Sequence, residues 1–354
     1  MSAPVPPSSA TDPLLGAVLD GGYRVLEKLG RGGMGTVYRA EARHPDGTTH
    51  HVAVKVLLDE LLADAAQRER FEREARALFG LEHPNILAVH DFGFLEGSPY
   101  LVMELLDGQS LGEYAEEHPP DPETALTIAR QILAGLAYAH AQGALHRDLK
   151  TENVFVARMA DGSLVAKLLD FGLVKFVDDD RWGSGRVLTT FGEVFGTPAY
   201  MSPEQCTGAP VDARADVYSM GVVLYELLTG RWPFMAESRG EMLRAHLMEP
   251  PPPLAEARHG LRARPELEGL VQTALAKDKG DRFADAGAML AALDAVPRPA
   301  AFVTAETPSV APPSMPAPPK KVPGAAVNAL LVALGLLLLL ALAGSAALAF
   351  YLSR

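Results

Sequence analysis

Two short motifs in the middle of the sequence bring together two carboxylates, an amide and a lysine. Asp148, Lys150 and Asn153 lie within six residues, and Asp170 follows 17 residues after Asn153, directly before a Phe-Gly pair. Carboxylate and amide oxygens are hard ligands of the kind that Mg²⁺ prefers, and a positioned carboxylate can accept the proton of a hydroxyl. A surface loop would rarely contain both motifs, so we expect chemistry at this place.

A glycine-rich segment lies between two predicted strands near the N-terminus. Glycine lets the backbone turn tightly and bring its N–H groups against phosphate oxygens without a side chain in the way. A plain glycine-rich hairpin turn would give the same pattern, whereas a dinucleotide-binding turn requires a helix directly after the glycines and is disfavoured by the strand found here. The segment consists of Leu29, Gly30, Arg31, Gly32, Gly33, Met34, Gly35, Thr36 and Val37.

A lysine occurs in an otherwise apolar predicted strand. Because side chains alternate along a strand, Lys55 shares a face with Ala53 and Leu57. A lysine among apolar neighbours needs an anionic partner. Glu74 can supply one, since it lies on the apolar face of the following predicted helix. Two simpler interpretations stay open: Lys55 could extend its ammonium group into water, and Glu74 could be solvated.

The elements that must position these residues change type along the chain. Alternating or β-branched residues predict three strands in the first third, and a helical pattern follows them. The strands run from Tyr23 to Leu29, Val37 to Ala42 and His51 to Leu58, and the helix from Asp64 to Phe79. A small strand-rich lobe followed by a larger helical lobe implies a cleft between them, where ligands usually bind.

Two longer helices are predicted in the second part. Asp121 as N-cap and Pro122 in the first turn begin one helix, which Gly143 ends. Its apolar stripe consists of Ala125, Ile128, Ala129, Ile132, Leu136 and Ala139. The other helix extends from about Ala213 to Thr229 and is capped by Gly230.

Composition narrows the class of protein. The chain has 354 residues, of which 48% are hydrophobic, so it can bury a large core. With a formal net charge of -12, the chain lacks the broad basic character expected of a nucleic-acid binder, and we expect no nucleic-acid partner. The single cysteine, Cys206, cannot form an internal disulfide, which fits a reducing cytosol and an inert structural thiol.

Both ends of the sequence differ from the folded middle. Residues 1–13 predict a disordered Pro-rich leader, and 297–324 a Pro-rich juxtamembrane linker. Residues 325–352 contain no charge over 28 positions, enough for one transmembrane helix, although a buried or interfacial helix or a removable lipid-anchor tail would also be uncharged. Lys320 and Lys321 precede this segment and only Arg354 follows it. This charge distribution predicts a single-pass protein of the inner (plasma) membrane, with the large N-terminal part in the cytoplasm and the C-terminus outside. We expect no folded sensor domain beyond the membrane.

The ordered motifs together resemble those of the bacterial eukaryotic-type (Hanks-type) membrane-anchored serine/threonine protein kinases, over roughly Tyr23 to Leu293. The resemblance implies an α+β fold with two lobes, a small antiparallel β-sheet lobe with one helix and a larger helical lobe, followed here by the C-terminal transmembrane helix. The kinase domain would occupy residues 14–296, with the N-lobe at about 14–106 and the C-lobe at about 107–296.

The resemblance also implies roles for individual residues. Asp148 would orient the substrate hydroxyl and accept its proton, Lys150 would steady the transferred γ-phosphoryl group, and Asn153 and Asp170 would hold Mg²⁺, for which Mn²⁺ can substitute. ATP would lie under the glycine-rich segment. Lys55, paired with Glu74, would hold its α- and β-phosphates. The other residues implied at the nucleotide are Ala53, Met103 as gatekeeper, Glu104 and Leu106 of the hinge, and Phe155 beneath the adenine.

Further matches lie in the second half of the chain. Residues 196–204 resemble the end of an activation segment and its substrate-binding loop, with Glu204 expected to pair with Arg282. Asp216 resembles the helix carboxylate that braces the catalytic loop. Two residues depart from the family pattern: Thr151 stands where most relatives carry proline, and Ser202 where they carry alanine.

Regulation by phosphorylation is a further expectation. Arg147, directly before Asp148, marks the class whose activity usually depends on activation-loop phosphorylation, because a buried arginine needs an anionic partner. Thr189 and Thr190 are the candidates for trans-autophosphorylation, and ordinary polar loop residues are the alternative.

Partners and rival functions follow from the same residues. A kinase of this type would act on protein substrates, associate with itself during autophosphorylation and contact membrane lipid through its C-terminal helix. A catalytically weak kinase-fold membrane scaffold, a small-molecule kinase and a Pro-rich docking protein are the alternatives. The first would lack Lys55, Asp148, Asn153 or Asp170, and all four are present.

Overall fold

The computed structural model describes most of the first of two units into which the chain divides, residues 1–305 and 306–354. The described residues are 12–32, 35–44, 46–58, 65–95, 97–159, 161–171, 198–258, 261 and 264–297. Among them, no helix combines the length and the apolar character that crossing a membrane requires. The predicted membrane segment 325–352 lies outside the described residues, as do the Pro-rich linker and nearly all of the leader.

Six antiparallel strands form the sheet of the first lobe. Their order across the sheet is β1-β2-β3-β4-β6-β5. They are β1 (Val18–Leu19), β2 (Tyr23–Gly32), β3 (Gly35–Arg43), β4 (Thr49–Leu57), β5 (Val89–Leu95) and β6 (Ser98–Glu104). The three strands expected from alternation are therefore confirmed, each extended by a few residues at one or both ends.

The two faces of this sheet bury different sets of apolar residues. Val52 and Val54 of β4 belong to one buried cluster together with Tyr100 and Val102 of β6. On the opposite face, Leu57 packs with Leu101 and with helix α1 (Ala65–Phe79). Alternation along β4 puts Lys55 on the α1 face, as the sequence predicted.

The second lobe consists of helices and one small sheet. Its strands are β7 (Gln109–Ser110), β8 (Val154–Arg158) and β9 (Leu164–Leu168), and they pair in that order. Its helices are α2 (Leu111–Glu117), α3 (Pro122–Ala141), α4 (Pro203–Thr207), α5 (Ala213–Thr229), α6 (Arg239–Met248), α7 (Leu254–Ala257), α8 (Pro265–Ala274) and α9 (Ala286–Asp294). This arrangement confirms the α+β, two-lobed architecture.

Helix α3 begins and ends where the sequence places its signals. The Asp121 side chain accepts hydrogen bonds from the backbone N–H groups of Glu123 and Thr124. Gly143, beyond the last turn, adopts a left-handed conformation with φ 76°. All six residues of the predicted stripe are buried in the large core of this lobe. Helix α5 likewise ends at Gly230, whose φ is 77°.

The segment before β5 is attached to the helical lobe. The Asn85 side chain donates to the carbonyl of Ala166 at 2.9 Å and to Gln131 Oε1 at 3.1 Å. The N–H of Leu87 donates to the carbonyl of Leu168, and the N–H of Leu168 to the carbonyl of Asn85, both at 2.9 Å. The strand pair β8–β9 and helix α3 therefore hold residues 85–87 in place, just before the chain enters the sheet.

A glycine in α3 makes this attachment possible. A Cβ atom on Gly135 would lie 2.8 Å from Leu168 Cδ1 and 2.9 Å from the Asn85 carbonyl oxygen. Gly135→Ala should therefore lower the free energy of unfolding by about 1–3 kcal/mol, since a packed interior adapts poorly to an added methyl group.

The matched control is Gly269→Ala in α8, where a Cβ meets nothing within 4 Å. That change should instead raise the free energy of unfolding by about 0.5–1 kcal/mol, because alanine favours the helix. Urea unfolding of the two variants beside the parent measures both effects. Equal stabilities of the two variants would show that the approach of α3 to β9 is not tight.

Candidate active site

The catalytic loop, residues 146–153, holds two polar side chains against one carboxylate. Asn153 donates from its amide nitrogen to Asp148 Oδ2 at 2.9 Å and to the Asp148 carbonyl at 2.8 Å. Lys150 Nζ lies 3.1 Å from the same Oδ2. A short 3₁₀ turn, Thr151–Asn153, brings the amide back toward Asp148. Because both partners contact Oδ2, the Asp148 carboxylate is oriented with Oδ1 available to a substrate hydroxyl.

An ion pair joins the two lobes across the cleft. Lys55 Nζ of β4 donates to both carboxylate oxygens of Asp170, each at 2.6 Å. Lys55 itself is 9% exposed, so its buried charge is compensated by the Asp170 carboxylate rather than by water. The sequence predicted Glu74 as its partner. Glu74 belongs to α1, but its side chain lies outside the described part of the structure.

A buried carboxylate braces the catalytic loop from α5. Asp216 is 1% exposed and accepts hydrogen bonds from the N–H groups of His146 and Arg147 at 2.8 and 2.7 Å. His140 Nε2 contacts it at 2.9 Å. Burial alone would raise the pKa of Asp216, but the hydrogen bond and charge of His140 and those of His146 outweigh it and lower the pKa. Asp216 therefore stays ionised, as the bracing role requires.

Two residues of the site have an unusual backbone conformation. Arg147 has φ 68° and Asp170 has φ 55°, and they are the non-glycine residues with positive φ among those that the structure describes. Left-handed geometry costs a non-glycine residue about 1–2 kcal/mol, so the surrounding contacts must hold it. For Arg147 the Asp216 bond does so. Both strained positions adjoin a catalytic carboxylate or carry one.

The predicted glycine-rich segment is a strand hairpin. Gly30 pairs with Val37, Arg31 with Thr36 and Gly32 with Gly35 across β2 and β3. No helix follows, which confirms that the segment is not of the dinucleotide-binding type. Gly33 and Met34, at its tip, lie outside the described residues, whereas Leu29 is in β2 and 48% exposed.

The residues expected around an adenine lie on β4, β6 and β8. Ala53 is directly opposite Met103 in the sheet, and both side chains are buried. Glu104 Oε1 accepts from the Ala88 N–H at 2.8 Å and from Lys167 Nζ at 2.7 Å. The N–H of Glu104 also donates to the carbonyl of Ala88 at 3.0 Å, so its side chain and its N–H are both bonded within the protein. A contact between the hinge backbone and adenine stays a prediction.

Leu106 follows β6 in the connection to the second lobe. Phe155 is on β8, opposite Lys167 of β9. Both side chains are partly exposed.

The Glu204–Arg282 pair is confirmed as a buried bidentate ion pair. Arg282 donates from both terminal nitrogens to the two Glu204 oxygens at 2.8 and 2.9 Å. It also donates to the carbonyls of Arg214, Ala276 and Lys277, so its guanidinium is well satisfied. Cys206, in the same helix as Glu204, has its pKa raised to about 12 by burial, and its thiol stays protonated.

The polar groups around Asp148 fit a divalent cation and a polyphosphate. Asn153 uses its amide nitrogen toward Asp148, so its oxygen is left for a cation, and Asp170 supplies carboxylate oxygens beside Lys55. The described residues contain no cluster of three or more His, Cys, Asp or Glu side chains that could hold a metal. A cation with few protein ligands and several phosphate oxygens is the usual arrangement for Mg²⁺. Lys55 and Lys150 are placed to receive the phosphate charge.

Three features of the site were not predicted from the sequence. His140 contacts Asp216, and its Nδ1 accepts the Ala286 N–H at 3.3 Å, so Nε2 carries the proton given to Asp216. Lys167 fixes the hinge glutamate from β9. The third is a hydrogen-bonded group formed by Tyr200 with Thr151, Glu226 and Trp232. Each depends on residues far apart in sequence, so local patterns do not indicate it.

A comparison with known families matches residues 23–292 to the protein kinase domain. The chain belongs to the protein kinase family. It is 41% identical over 288 residues to serine/threonine-protein kinase pkn3 of Myxococcus xanthus, covering 81% of this chain and 52% of that protein. It is 40% identical over 268 residues to PknJ of Mycobacterium tuberculosis, covering 75% and 44%.

Solved structures agree with these relatives. The crystal structure of the PknI kinase domain of Mycobacterium tuberculosis superposes with a TM-score of 0.61 at 29% identity, covering 79% of this chain and 98% of that domain. The predicted resemblance to bacterial Hanks-type serine/threonine kinases is thus confirmed. This kinase chain spans about half or less of the length of the curated relatives cited here.

Thr189 and Thr190 of this kinase lie outside the described residues, as do Gly172 and residues 173–197. The described part of the activation segment resumes at Pro198, with the turn Pro198–Tyr200 leading into α4. Among the predicted site residues, the structure brings together Lys55 with Asp170, Asp148 with Lys150 and Asn153, and Ala53 with Met103.

The carboxyl of Glu226 in α5 should make the stability of the protein depend on pH. Burial raises its pKa from 4.5 to about 7. Between pH 4.5 and 7 the folded protein keeps a proton that the unfolded chain releases, so stability is lost as the pH rises through this range. Glu226→Gln removes the ionisation. The free energy of unfolding of Glu226→Gln minus that of the parent should therefore rise by about 1–3 kcal/mol between pH 5 and pH 8.

Urea unfolding at the two pH values checks this expectation. Glu82→Gln, at an exposed position, is the control for loss of a glutamate charge. A difference between Glu226→Gln and the parent that does not change with pH would contradict burial of an ionisable carboxyl at this position.

Proposed function

We propose that this kinase transfers the γ-phosphoryl group of ATP to serine and threonine hydroxyls of proteins, with Mg²⁺ as the metal. The arrangement of Asp148, with Lys150 and Asn153 on one carboxylate oxygen, carries the proposal. It supplies an oriented proton acceptor beside a cation ligand and a lysine, which phosphoryl transfer needs and a scaffold does not. The serine/threonine relatives support the choice of acceptor.

Each residue of the site has a role in this reaction. Asp148 positions the substrate hydroxyl through its free oxygen and accepts its proton. Lys150, 3.1 Å from Asp148, compensates negative charge near the attacking oxygen. Lys55, held by Asp170 in the structure, binds phosphate oxygens from the small lobe. When bound, Mg²⁺ neutralises developing charge on the phosphates, and Asn153 and Asp170 are the residues that would hold it.

Asp148→Asn should lower kcat by about 10²–10⁴-fold, the usual contribution of a positioned general base, and leave ATP affinity unchanged. The assay is phosphate transfer from labelled ATP to dephosphorylated casein and to the kinase itself, with ATP affinity measured by calorimetry. Asp161→Asn, in the turn between β8 and β9, is the matched control and should retain full activity. Full activity of Asp148→Asn would overturn the proposed function.

We also propose a membrane location and activation by self-association. The uncharged residues 325–352, preceded by Lys320 and Lys321, support a single-pass helix in the inner membrane with the kinase domain on the cytoplasmic side. Confinement to a membrane raises the effective concentration of one kinase near another. This favours autophosphorylation in trans, for which Thr189 and Thr190 are the proposed sites.

Deleting residues 325–354 should slow autophosphorylation at low protein concentration and leave ATP binding intact. The full chain in lipid vesicles and the truncated chain in solution are compared at equal bulk concentration, with phosphopeptide mapping as the readout. Raising the concentration of the truncated chain should restore its rate, since the reaction is bimolecular. Equal rates at low concentration would contradict membrane-assisted activation, and unmodified Thr189 and Thr190 in active protein would contradict these sites.

A further inference from the structure

Thr151 and Ser202, the two residues that depart from the family pattern, lie where the catalytic loop meets the segment 198–205. Thr151 is 3% exposed, and its hydroxyl lies 2.9 Å from the hydroxyl of Tyr200. Ser202 is fully buried and caps α4. The contacts of these two side chains connect the loop that holds Asp148 to the segment expected to bind the protein substrate.

The proton of the Tyr200 hydroxyl is already used. Tyr200 lies 2.6 Å from Glu226 Oε2 and donates to it. Trp232 Nε1 donates to the Tyr200 oxygen at 3.0 Å. Burial raises the pKa of Tyr200, so the phenol keeps its single proton. A phenol oxygen that already accepts from one donor can accept from one more, so while Tyr200 donates to Glu226 the Thr151 hydroxyl is the donor to Tyr200.

The other contacts of Tyr200 among the described residues come from α5 and from Trp232. Its carbonyl accepts from Ser219 Oγ of α5 at 2.8 Å, and its ring packs edge-to-face on Trp232. The Thr151 hydroxyl is the contact that reaches it from the catalytic loop. The alternative acceptor for Thr151, Glu152 Oε2, is at 3.5 Å, beyond the length of a strong hydrogen bond.

A second link runs parallel to the first. Gln205 Nε2 donates to the carbonyl of Arg147 at 2.6 Å. Its Oε1 accepts from the Ser202 N–H at 3.0 Å and from Ser202 Oγ at 3.1 Å. Ser202 therefore orients the Gln205 amide so that its nitrogen faces the catalytic loop. Both departures from the family pattern thus serve the same junction.

We propose that Thr151 is a positioning residue for the protein substrate, whose hydroxyl holds residues 198–202 in register with Asp148 through Tyr200. The proposal rests on the proposed kinase activity. In the described part of the chain the Thr151 hydroxyl contacts Tyr200 and Glu152 and makes no hydrogen bond to Lys55, Lys150 or the Asp148 carboxylate. Its loss should therefore affect docking of the acceptor rather than the transfer step.

Thr151→Val keeps the shape of the side chain and removes the donor. We expect a rise of about three- to ten-fold in KM for casein, the range that loss of one neutral hydrogen bond produces, with kcat and the KM for ATP within about two-fold of the parent. Thr151→Ser restores the hydroxyl and should return the casein KM to the parent value. Thr229→Val, which removes a buried threonine hydroxyl at the end of α5, is the control and should leave the casein KM unchanged.

A double-mutant cycle with Tyr200→Phe tests the route. If the hydroxyl pair is the link, Thr151→Val should add less than about 1.5-fold to the casein KM once Tyr200→Phe is present. Multiplicative effects, an unchanged KM in Thr151→Val, or failure of Thr151→Ser to restore it would each overturn the proposal.

Thermal melting of every variant separates docking from folding, and Thr151→Ala replaces Thr151→Val if the latter does not fold. An inactive parent protein would instead refute the proposed function. The two proposals therefore fail in distinguishable ways.

Discussion

The buried carboxylate of Asp216 is the interaction on which the geometry of the site depends. It lies in the first turn of α5, is almost fully buried, and accepts two backbone N–H groups of the catalytic loop. Its bond to the N–H of Arg147, together with the bond from Gln205 to the Arg147 carbonyl, holds Arg147 in a left-handed conformation. Asp148 is the next residue, so its direction is set by the same contact. The geometry of the catalytic loop therefore depends on a side chain of another element, helix α5.

Much of the fold could be predicted because its signals are local. Helix α3 has an N-cap at Asp121, an apolar stripe and a terminal glycine, and each is read from neighbouring residues. Strand alternation placed Lys55 on the correct face of β4. The Glu204–Arg282 and Asp216 contacts were assigned from family resemblance rather than from residue patterns, and the structure has both.

The contacts that were not predicted join residues with no pattern between them. Lys55 pairs with Asp170 across 115 positions of sequence, and periodicity carries no information about such a meeting. Thr151 and Tyr200 are 49 positions apart, and Thr151 looked only like the loss of a proline. The sequence placed His140 in a helix but did not indicate that its side chain donates to Asp216. Direction and distance between elements decide these contacts, and packing sets both.

The attachment of residues 85–87 to the helical lobe has a mechanical meaning. These residues begin the return of the chain into the sheet, yet Asn85 and Leu87 are bonded to β9 and α3. Glu104, at the other crossing, is bonded to Ala88 and Lys167. Both crossings between the lobes are thus bonded to β9, and we expect any opening of the cleft to rotate the sheet about them. Lys55 would move with the sheet while Asp170 stays with the helical lobe, so such a rotation would break their ion pair.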